Sequence, residues 1–402
     1  MHRVAITGLG VICALGKNTK DFWASLQQGS VGIAPISAID RSALRFQNGA
    51  EVRNYDPLNY FEPKQADLMD RFAQFAVIAA KEAVKDAGLD LTPELCSSAA
   101  VITGACVGGQ TSEDQGFYDI YRANRNRVHP MTIPKTMANA GASLICMELG
   151  ITGAAFTIST ACSSAAHAVG LGYSMVSSGA APVALVGGSE APFSLGLLKA
   201  WEALRVVSPG TCRPFSKDRS GMILGEGGAM LVLERMESAQ ARGIHIYGEV
   251  AGFGMSSDAC HITHPSPDGA AAAMQRALTH AEIAPEQVGY INAHGTGTEV
   301  NDSTETAAIR KVFGVHADKL AVSSTKSMHG HTLGAAGALE AAASVLALHH
   351  GVLPPTANYT TPDPACDLDV IPNAARTAQV ECCVSNSFAF GGLNAALVFK
   401  RA

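Results

Sequence analysis

The chain has 402 residues, 47% of them hydrophobic and 16% charged, with a formal net charge of −6. That is a globular composition with ample core material, enough for two or three domain-sized units or for one large body built from two halves. The dilute negative charge argues against a nucleic-acid partner, and no stretch of roughly 18 apolar residues predicts a membrane span.

Aromatic residues make up only 6% while glycines number 40, so small residues are available to let helices lie close on sheets. Met-His-Arg-Val-Ala-Ile-Thr-Gly opens the chain without an apolar signal region, which predicts a cytoplasmic protein. The ten cysteines contain no C-x-x-C pair and no disulfide-like spacing, and nine of them read as reduced core residues.

Short β-branched runs alternate with alanine-rich helical runs. In chain order the pattern predicts a strand over 4–7, helices over 19–28 and 70–87, strands over 100–103 and 155–159, a helix over 163–178, and strands over 183–187 and 229–233. A second series follows: strand 246–251, helix 269–281, strand 290–293, helix 303–313, strand 320–323, helix 335–350, and strands 383–387 and 396–399. Gly179 and Gly351 stand where helix-ending glycines belong. The alternation predicts an α/β fold with partly parallel strands. It also divides into two similar halves, 1–245 and 246–402, sharing one body because no Pro- or Ser-rich linker separates them. Segments 104–135 and 190–220 carry few regular patterns and read as long loops. Gly8-Leu9-Gly10 reads as a tight turn, since a dinucleotide fingerprint lacks its third glycine and acidic partner.

Three loops carry chemistry. In Ile158-Ser-Thr-Ala-Cys162-Ser-Ser a strand enters a turn and a helix starts just after the cysteine. Unpaired N–H groups and the positive end of the helix dipole favour a thiolate there, placed to attack a thioester. His167, one turn on, reads as a core histidine. In Asn292-Ala-His294-Gly-Thr296-Gly-Thr298 a strand ends at a histidine, and a helix capped near Asp302 follows. The third, Ser324-Thr-Lys326-Ser-Met-His329-Gly-His331, offers two histidines, and spacing does not say which works. His294, His329 and His331 could be metal ligands, but Lys326 in the loop and the lack of a suitably spaced carboxylate or cysteine argue against a metal. Ser385–Asn394 adds a glycine-flanked aromatic loop with Phe390, able to line a channel. Basic residues in the loops, among them Arg127, Arg205, Arg213 and Arg219, suit an acidic protein partner if they share a face.

These motifs, with Arg213-Pro-Phe-Ser-Lys-Asp-Arg219 and Asn386-Ser-Phe-Ala-Phe390-Gly-Gly392, resemble in content and order the β-ketoacyl-acyl-carrier-protein synthases of the thiolase-like superfamily. The resemblance covers nearly the whole chain. It implies a thiolase-like fold, two similar halves forming a five-layer α-β-α-β-α sandwich. It implies Cys162 as nucleophile with His294 and His331 as catalytic histidines, leaving His329 a neighbour. Lys326 and Glu340 are then supports of the second histidine, with Asp302 and Glu305 in the network. Thr296 and Thr298 match pantetheine-binding positions. The N–H groups of Cys162 and Phe390 match an oxyanion hole, and Val107, Thr132, Trp201 and Phe390 an acyl pocket. Arg127 and Arg205 match carrier-protein contacts. No metal or redox cofactor is implied; phosphopantetheine arrives on the acyl carrier protein. The partner subunit is a second copy or a chain-length-factor-like homologue.

The stretches Leu198–Ser216 and Pro354–Asp369 look more like the specialised nodulation, aryl polyene or type II polyketide enzymes, and the departures from the housekeeping pattern, Thr132 and Trp201 in place of phenylalanines and Ala389 and Leu393 in the gate loop, argue against ordinary long-chain fatty acid specificity. The implied reaction is a decarboxylating Claisen condensation. Rival readings are a housekeeping elongation synthase, a non-decarboxylating thiolase or a type III-like synthase, the latter with an asparagine where this chain has His331, and a non-condensing scaffold subunit, which would lack the nucleophile.

Overall fold

The computed structural model describes residues 1–402. Ten strands form one sheet: β1 (Val4–Cys13), β2 (Ala100–Gly104), β3 (Ala155–Ile158), β4 (Val183–Glu190), β5 (Gly227–Arg235), β6 (Gly248–Ser257), β7 (Tyr290–Asn292), β8 (Ala321–Ser323), β9 (Cys382–Ser387) and β10 (Leu393–Lys400). Their order across the sheet is β8-β7-β9-β10-β6-β1-β5-β4-β2-β3.

That order is one pattern used twice. From β1 outward, β5 and β4 pair antiparallel in turn, then β2 and β3 parallel. From β6 outward, β10 and β9 pair antiparallel, then β7 and β8 parallel. Within the sheet the halves join through the pairs Val4–Val250, Ala5–Glu249 and Ile6–Gly248.

The helices that fix the layers are α1 (Thr19–Gln28), α2 (Arg71–Asp86), α3 (Gln110–Tyr121), α4 (Thr132–Thr136), α5 (Ala140–Leu149), α6 (Ser164–Ser178), α7 (Leu195–Leu204), α8 (Pro267–Ala281), α9 (Glu299–Phe313) and α10 (Ala336–His350). Helices α2 and α5 cover the outer face of the first half-sheet, and α8, with α9 packed on it, covers that of the second. Helices α6 and α10 lie between the two half-sheets and touch both. This is the five-layer thiolase-like sandwich. The central layer holds the largest apolar cluster, 45 buried residues, against 28 and 24 on the two outer faces.

Small residues make the central layer possible. A Cβ on Gly337 of α10 would lie 2.6 Å from the Ala166 nitrogen of α6, so the two helices meet backbone to backbone. The same reason overturns the tight turn read at Gly8-Leu9-Gly10. Both glycines lie inside β1, where a Cβ would meet the Ala83 and Ala79 carbonyl oxygens of α2 at 2.1 and 1.9 Å.

Two further expectations are corrected. Segments 104–135 and 190–220 are not all loop: they contain α3, α4 and α7, three short helices that bury little of their length, so no long apolar stripe announces them. Helix α9 begins at Glu299 rather than near residue 303, so Asp302 is not its cap. No helix is long and apolar enough to cross a membrane.

Candidate active site

The first half contributes the sulfur. Strand β3 ends at Ile158, and the chain turns through Ala161, held at φ 52°, before α6 starts at Ser164. A non-glycine residue in the left-handed region marks a tight, over-determined turn. Ser164 Oγ accepts from the Thr160 N–H at 2.9 Å and donates to the Ala161 carbonyl at 2.6 Å, closing it. Ser163 Oγ donates to the Leu393 carbonyl at 2.8 Å, tying the elbow to the second half. Cys162 is thus fixed at the mouth of α6, buried at 8% exposure.

The second half contributes two rings. His294 follows β7, and its N–H and that of Gly295 donate to Glu305 at 2.9 and 2.8 Å. Asn386 Nδ2 also donates to Glu305, at 3.1 Å. His331 is held from behind: its N–H donates to the Ile223 carbonyl at 2.7 Å, and its carbonyl accepts from Gly225 at 2.9 Å. The His294 and His331 rings stand 5.4 Å apart at 85° and line one channel with Cys162.

The hydrogen bonds fix the tautomers. An ammonium has only donors, so Lys326 Nζ, 3.3 Å from His294 Nδ1, makes that nitrogen an acceptor. The Leu333 N–H donates to His331 Nδ1 at 3.3 Å, with the same consequence. Burial first, then the Lys326 charge, holds both histidines well below their usual pKa. Both are therefore neutral and carry their proton on Nε2. That of His331 is buried with no protein partner. Two aimed donors without acceptors suit an oxyanion that develops during a reaction.

Lys326 also pairs with Glu340, both fully buried, and burial raises that carboxyl to about 7 against the pull of Lys326. Lys326 thus acts on both rings, bonding His294 directly and reaching His331 only through its charge, while a backbone N–H orients His331. Asp302 accepts from Phe215 and Gly297 N–H at 2.8 and 3.2 Å and faces Arg219 at 3.8 Å, so it shapes the loop after His294. Arg219, read as a surface base, is buried in that contact.

The sulfur differs as well. The sequence favours a thiolate at the helix end. In the fold, burial pushes the Cys162 thiol up to about 11, against the pull of the Lys326 charge and the Phe390 N–H. Burial therefore favours the thiol over the thiolate as the resting form at neutral pH. Alkylation of Cys162 by iodoacetamide is therefore expected to accelerate about tenfold per pH unit from 7 through 9. A plateau below pH 8, followed by mass spectrometry of the Cys162 peptide, would show that the helix end prevails.

The channel holds about 430 Å³. Thr296 and Thr298 line it with their hydroxyls 2.9 Å apart. Phe390 lines it too, stacked on Trp201 at 6.3 Å. Arg205 sits on the wall near exposed Leu204 and Ile262. The loop of Phe390 is clasped to the rim, since the Gly391 N–H donates to the Ile262 carbonyl at 2.7 Å. Three expected residues lie elsewhere. Val107 is not on the channel wall. Thr132, on α4, lines a separate shallow depression with Asp70, Gly116 and Lys135. Arg127 is exposed on the loop between α3 and α4, away from the channel. His329 spends both nitrogens on the Gly330 carbonyl and Thr325 Oγ1, at 2.8 and 3.0 Å, and faces no channel. His167 is a core ring, 3.0 Å from the Ser163 carbonyl.

Sequence reasoning missed Glu190. Fully buried at the end of β4, it accepts from the N–H groups of Cys106, Val107, Gly108 and Gly334 at 2.8, 3.3, 3.2 and 3.0 Å. It fastens the loop after β2 to the chain that follows His331. A lone glutamate at the end of an apolar strand was the available signal. Glu190→Ala orphans four backbone donors, those of Gly108 and Gly334 fully buried, and is expected to cost on the order of 3 kcal/mol, read by denaturant melts. An unchanged midpoint would contradict this role.

A family model described as Beta-ketoacyl synthase, N-terminal domain, matches residues 1–239, and one described as Beta-ketoacyl synthase, C-terminal domain, matches residues 247–360. The chain is 46% identical over 400 residues to Nodulation protein E of Rhizobium leguminosarum bv. trifolii, covering 100% of this chain and 99% of that protein. It is 42% identical to the 3-oxoacyl-[acyl-carrier-protein] synthase 2 of Synechocystis sp., over 99% of this chain and 98% of that one. Among solved structures, the ishigamide ketosynthase/chain length factor superposes with a TM-score of 0.96 at 37% identity, covering 100% of this chain and 99% of that chain.

Proposed function

The chain belongs to the β-ketoacyl synthase family, acyltransferases that condense acyl groups on an acyl carrier protein, and from that premise we propose how its residues divide the work. Cys162 accepts the acyl group: its sulfur bonds the thioester carbon, and the pantetheine sulfur leaves with the proton. Malonyl-carrier protein then enters, with Thr296 and Thr298 holding its pantetheine arm. Its thioester oxygen takes the Nε2–H groups of His294 and His331. The bond to the carboxylate breaks, CO₂ leaves, and the electron pair rests on that oxygen as an enolate. The enolate carbon attacks the acyl-Cys162 carbonyl, whose oxygen takes the N–H groups of Cys162 and Phe390. The Cys162 sulfur leaves as thiolate and takes one proton from solvent to restore the thiol, and the β-ketoacyl chain departs on the carrier. No metal or redox cofactor enters these steps.

The observation that carries this reading is the pair of neutral imidazoles, each fixed at Nδ1, on one channel with the buried thiol. The test is incubation with acyl- and malonyl-carrier protein. Equimolar CO₂ and β-ketoacyl product support it; acyl transfer without CO₂ contradicts it.

Full-length identity to Nodulation protein E, and the likeness to a ketosynthase/chain length factor pair, favour a specialised fatty acid, polyene or polyketide pathway over housekeeping elongation. Arg205 at the channel is positioned to meet the carrier, with Arg127 a more distant contact. Ten free cysteines accord with the reducing cytoplasm.

A dimer completes the proposal. Strand β3 is paired on one side only, and Phe156 on it is 39% exposed. Beside it, α5 exposes Met147 at 78%, and α4, packed on α5, exposes Ile133 at 70%. A free edge flanked by such apolar side chains calls for cover by a second copy or a chain-length-factor-like homologue. Thr132 stands next to Ile133 on α4, outside the channel of the single chain. Met147→Asp is expected to turn a dimer, sized by light scattering, into monomer. A monomeric parent protein, with no homologue bound on co-expression, would refute it.

A further inference from the structure

The mouth of the channel carries a pair of imidazoles that the reaction above does not use. His261 and His264 stand on the loop between β6 and α8, are both exposed, and both line the channel. Their rings lie 4.5 Å apart at 81°, with the two Nδ1 atoms 2.9 Å from each other. The Thr263 N–H donates to the same Nδ1 of His261 at 3.1 Å.

These bonds decide where protons sit. His261 Nδ1 receives an N–H, so it is bare and its ring carries the proton on Nε2. His264 Nδ1 faces that bare atom and must donate to it. One place is left for an added proton, the Nε2 of His264. A proton there makes His264 a cation whose bond to His261 is strengthened by the charge. A proton on His261 Nδ1 would instead face two donors. The pair is therefore a one-proton site, and imidazoles change charge between about pH 5 and 8.

The other charges at the mouth leave its sign open. Arg205 and Glu299 line it with opposite charges. Arg219 is committed to Asp363 and Asp302. Asp258, on the histidine loop itself, is committed to the Ser266 N–H and Asn394 Nδ2 at 2.9 and 2.7 Å. Cys260 donates its thiol to the His264 carbonyl at 3.5 Å. The charge of His264 thus decides whether the mouth is neutral or positive.

We propose that protonated His264 binds the phosphodiester joining the pantetheine arm to its carrier protein, so that the mouth grips the arm more tightly as the pH falls. This rests on the ketosynthase reading of the same channel. With the thioester at Cys162 and the arm along Thr296 and Thr298, the phosphate end is what remains at the mouth.

The test uses the full-length protein and two octanoyl thioesters, one of pantetheine and one of pantetheine methyl phosphodiester. The diester keeps one negative charge across the pH range used, so only the protein titrates. Acylation of Cys162 is timed by intact-mass spectrometry. The ratio of the two rates is taken within each protein at each pH, so the ionisation of Cys162 cancels. In low salt, the diester's advantage in the parent is expected to be about fivefold larger at pH 6 than at pH 8.5. In His264→Asn it is expected to be the same at both. In His264→Lys, which stays charged, it is expected to hold the higher value at both. The proposal is overturned if the parent's ratio does not change with pH, if His264→Asn keeps the change, or if His264→Lys loses the advantage. Absence of any acylation of Cys162 by either thioester would instead overturn the ketosynthase reading beneath it.

Discussion

Cys162→Ala is expected to abolish chain elongation, by on the order of 10⁴-fold or more, while the protein stays folded. The loss is large because no other thiol shares the sulfur's setting at the mouth of α6, with the Phe390 N–H and the Lys326 charge both acting on it. Folding survives because a buried cysteine exchanged for alanine loses one small atom from a channel wall rather than from a packed core. The variant should still bind malonyl-carrier protein, since the two histidines and the Thr296–Thr298 pair are untouched. Steady-state assay of β-ketoacyl product alongside a thermal melt checks both halves of the expectation. Residual elongation within tenfold of the parent would remove Cys162 from the mechanism.

His331→Ala is expected to lower decarboxylation and condensation about 10²–10³-fold while leaving acylation of Cys162 nearly intact. The histidine stands in reserve for the second half-reaction. Its Nε2–H is buried, unpartnered and neutral, held in that tautomer by the Leu333 N–H. A donor that needs no reorganisation when the enolate forms is worth more inside the channel than in water. His331→Gln, which returns an N–H donor near the same place, is expected to recover part of the rate. Single-turnover formation of acyl-Cys162, measured apart from CO₂ release, separates the steps. Equal damage to both would assign His331 a structural role.

Much of this was legible before any coordinates. Each of the ten predicted strands became a strand of the central sheet, because short β-branched runs bounded by glycine or a helix have few other places to go. Cys162, His294 and His331 were brought onto one channel by the ends of β3, β7 and β8, where α/β folds gather ligands. What sequence did not show was set by contacts between residues far apart in the chain. Lys326 lies between two histidines in sequence space and bonds the more distant one, His294. Asp302 sits in the first turn of α9 and bonds backward to Gly297 and across to Phe215, so a capping pattern misplaced it. Glu190 works through four N–H groups that leave no side-chain signature. The thiol of Cys162 is governed by burial, which a helix-end argument does not weigh. Thr132 lies off the channel, in a separate depression with Asp70, Gly116 and Lys135, a grouping of distant residues that no local pattern announces.

The central claim is that one buried sulfur carries the acyl group to an enolate made by two neutral imidazoles. Acylating the protein with octanoyl-pantetheine, isolating it, and chasing with malonyl-carrier protein tests that in one experiment. Peptide mapping should place the octanoyl group on Cys162, and the chase should remove it with one CO₂ and one 3-oxodecanoyl-carrier protein per adduct. An adduct on another residue, or one that leaves as free octanoate while CO₂ is released, would contradict the account.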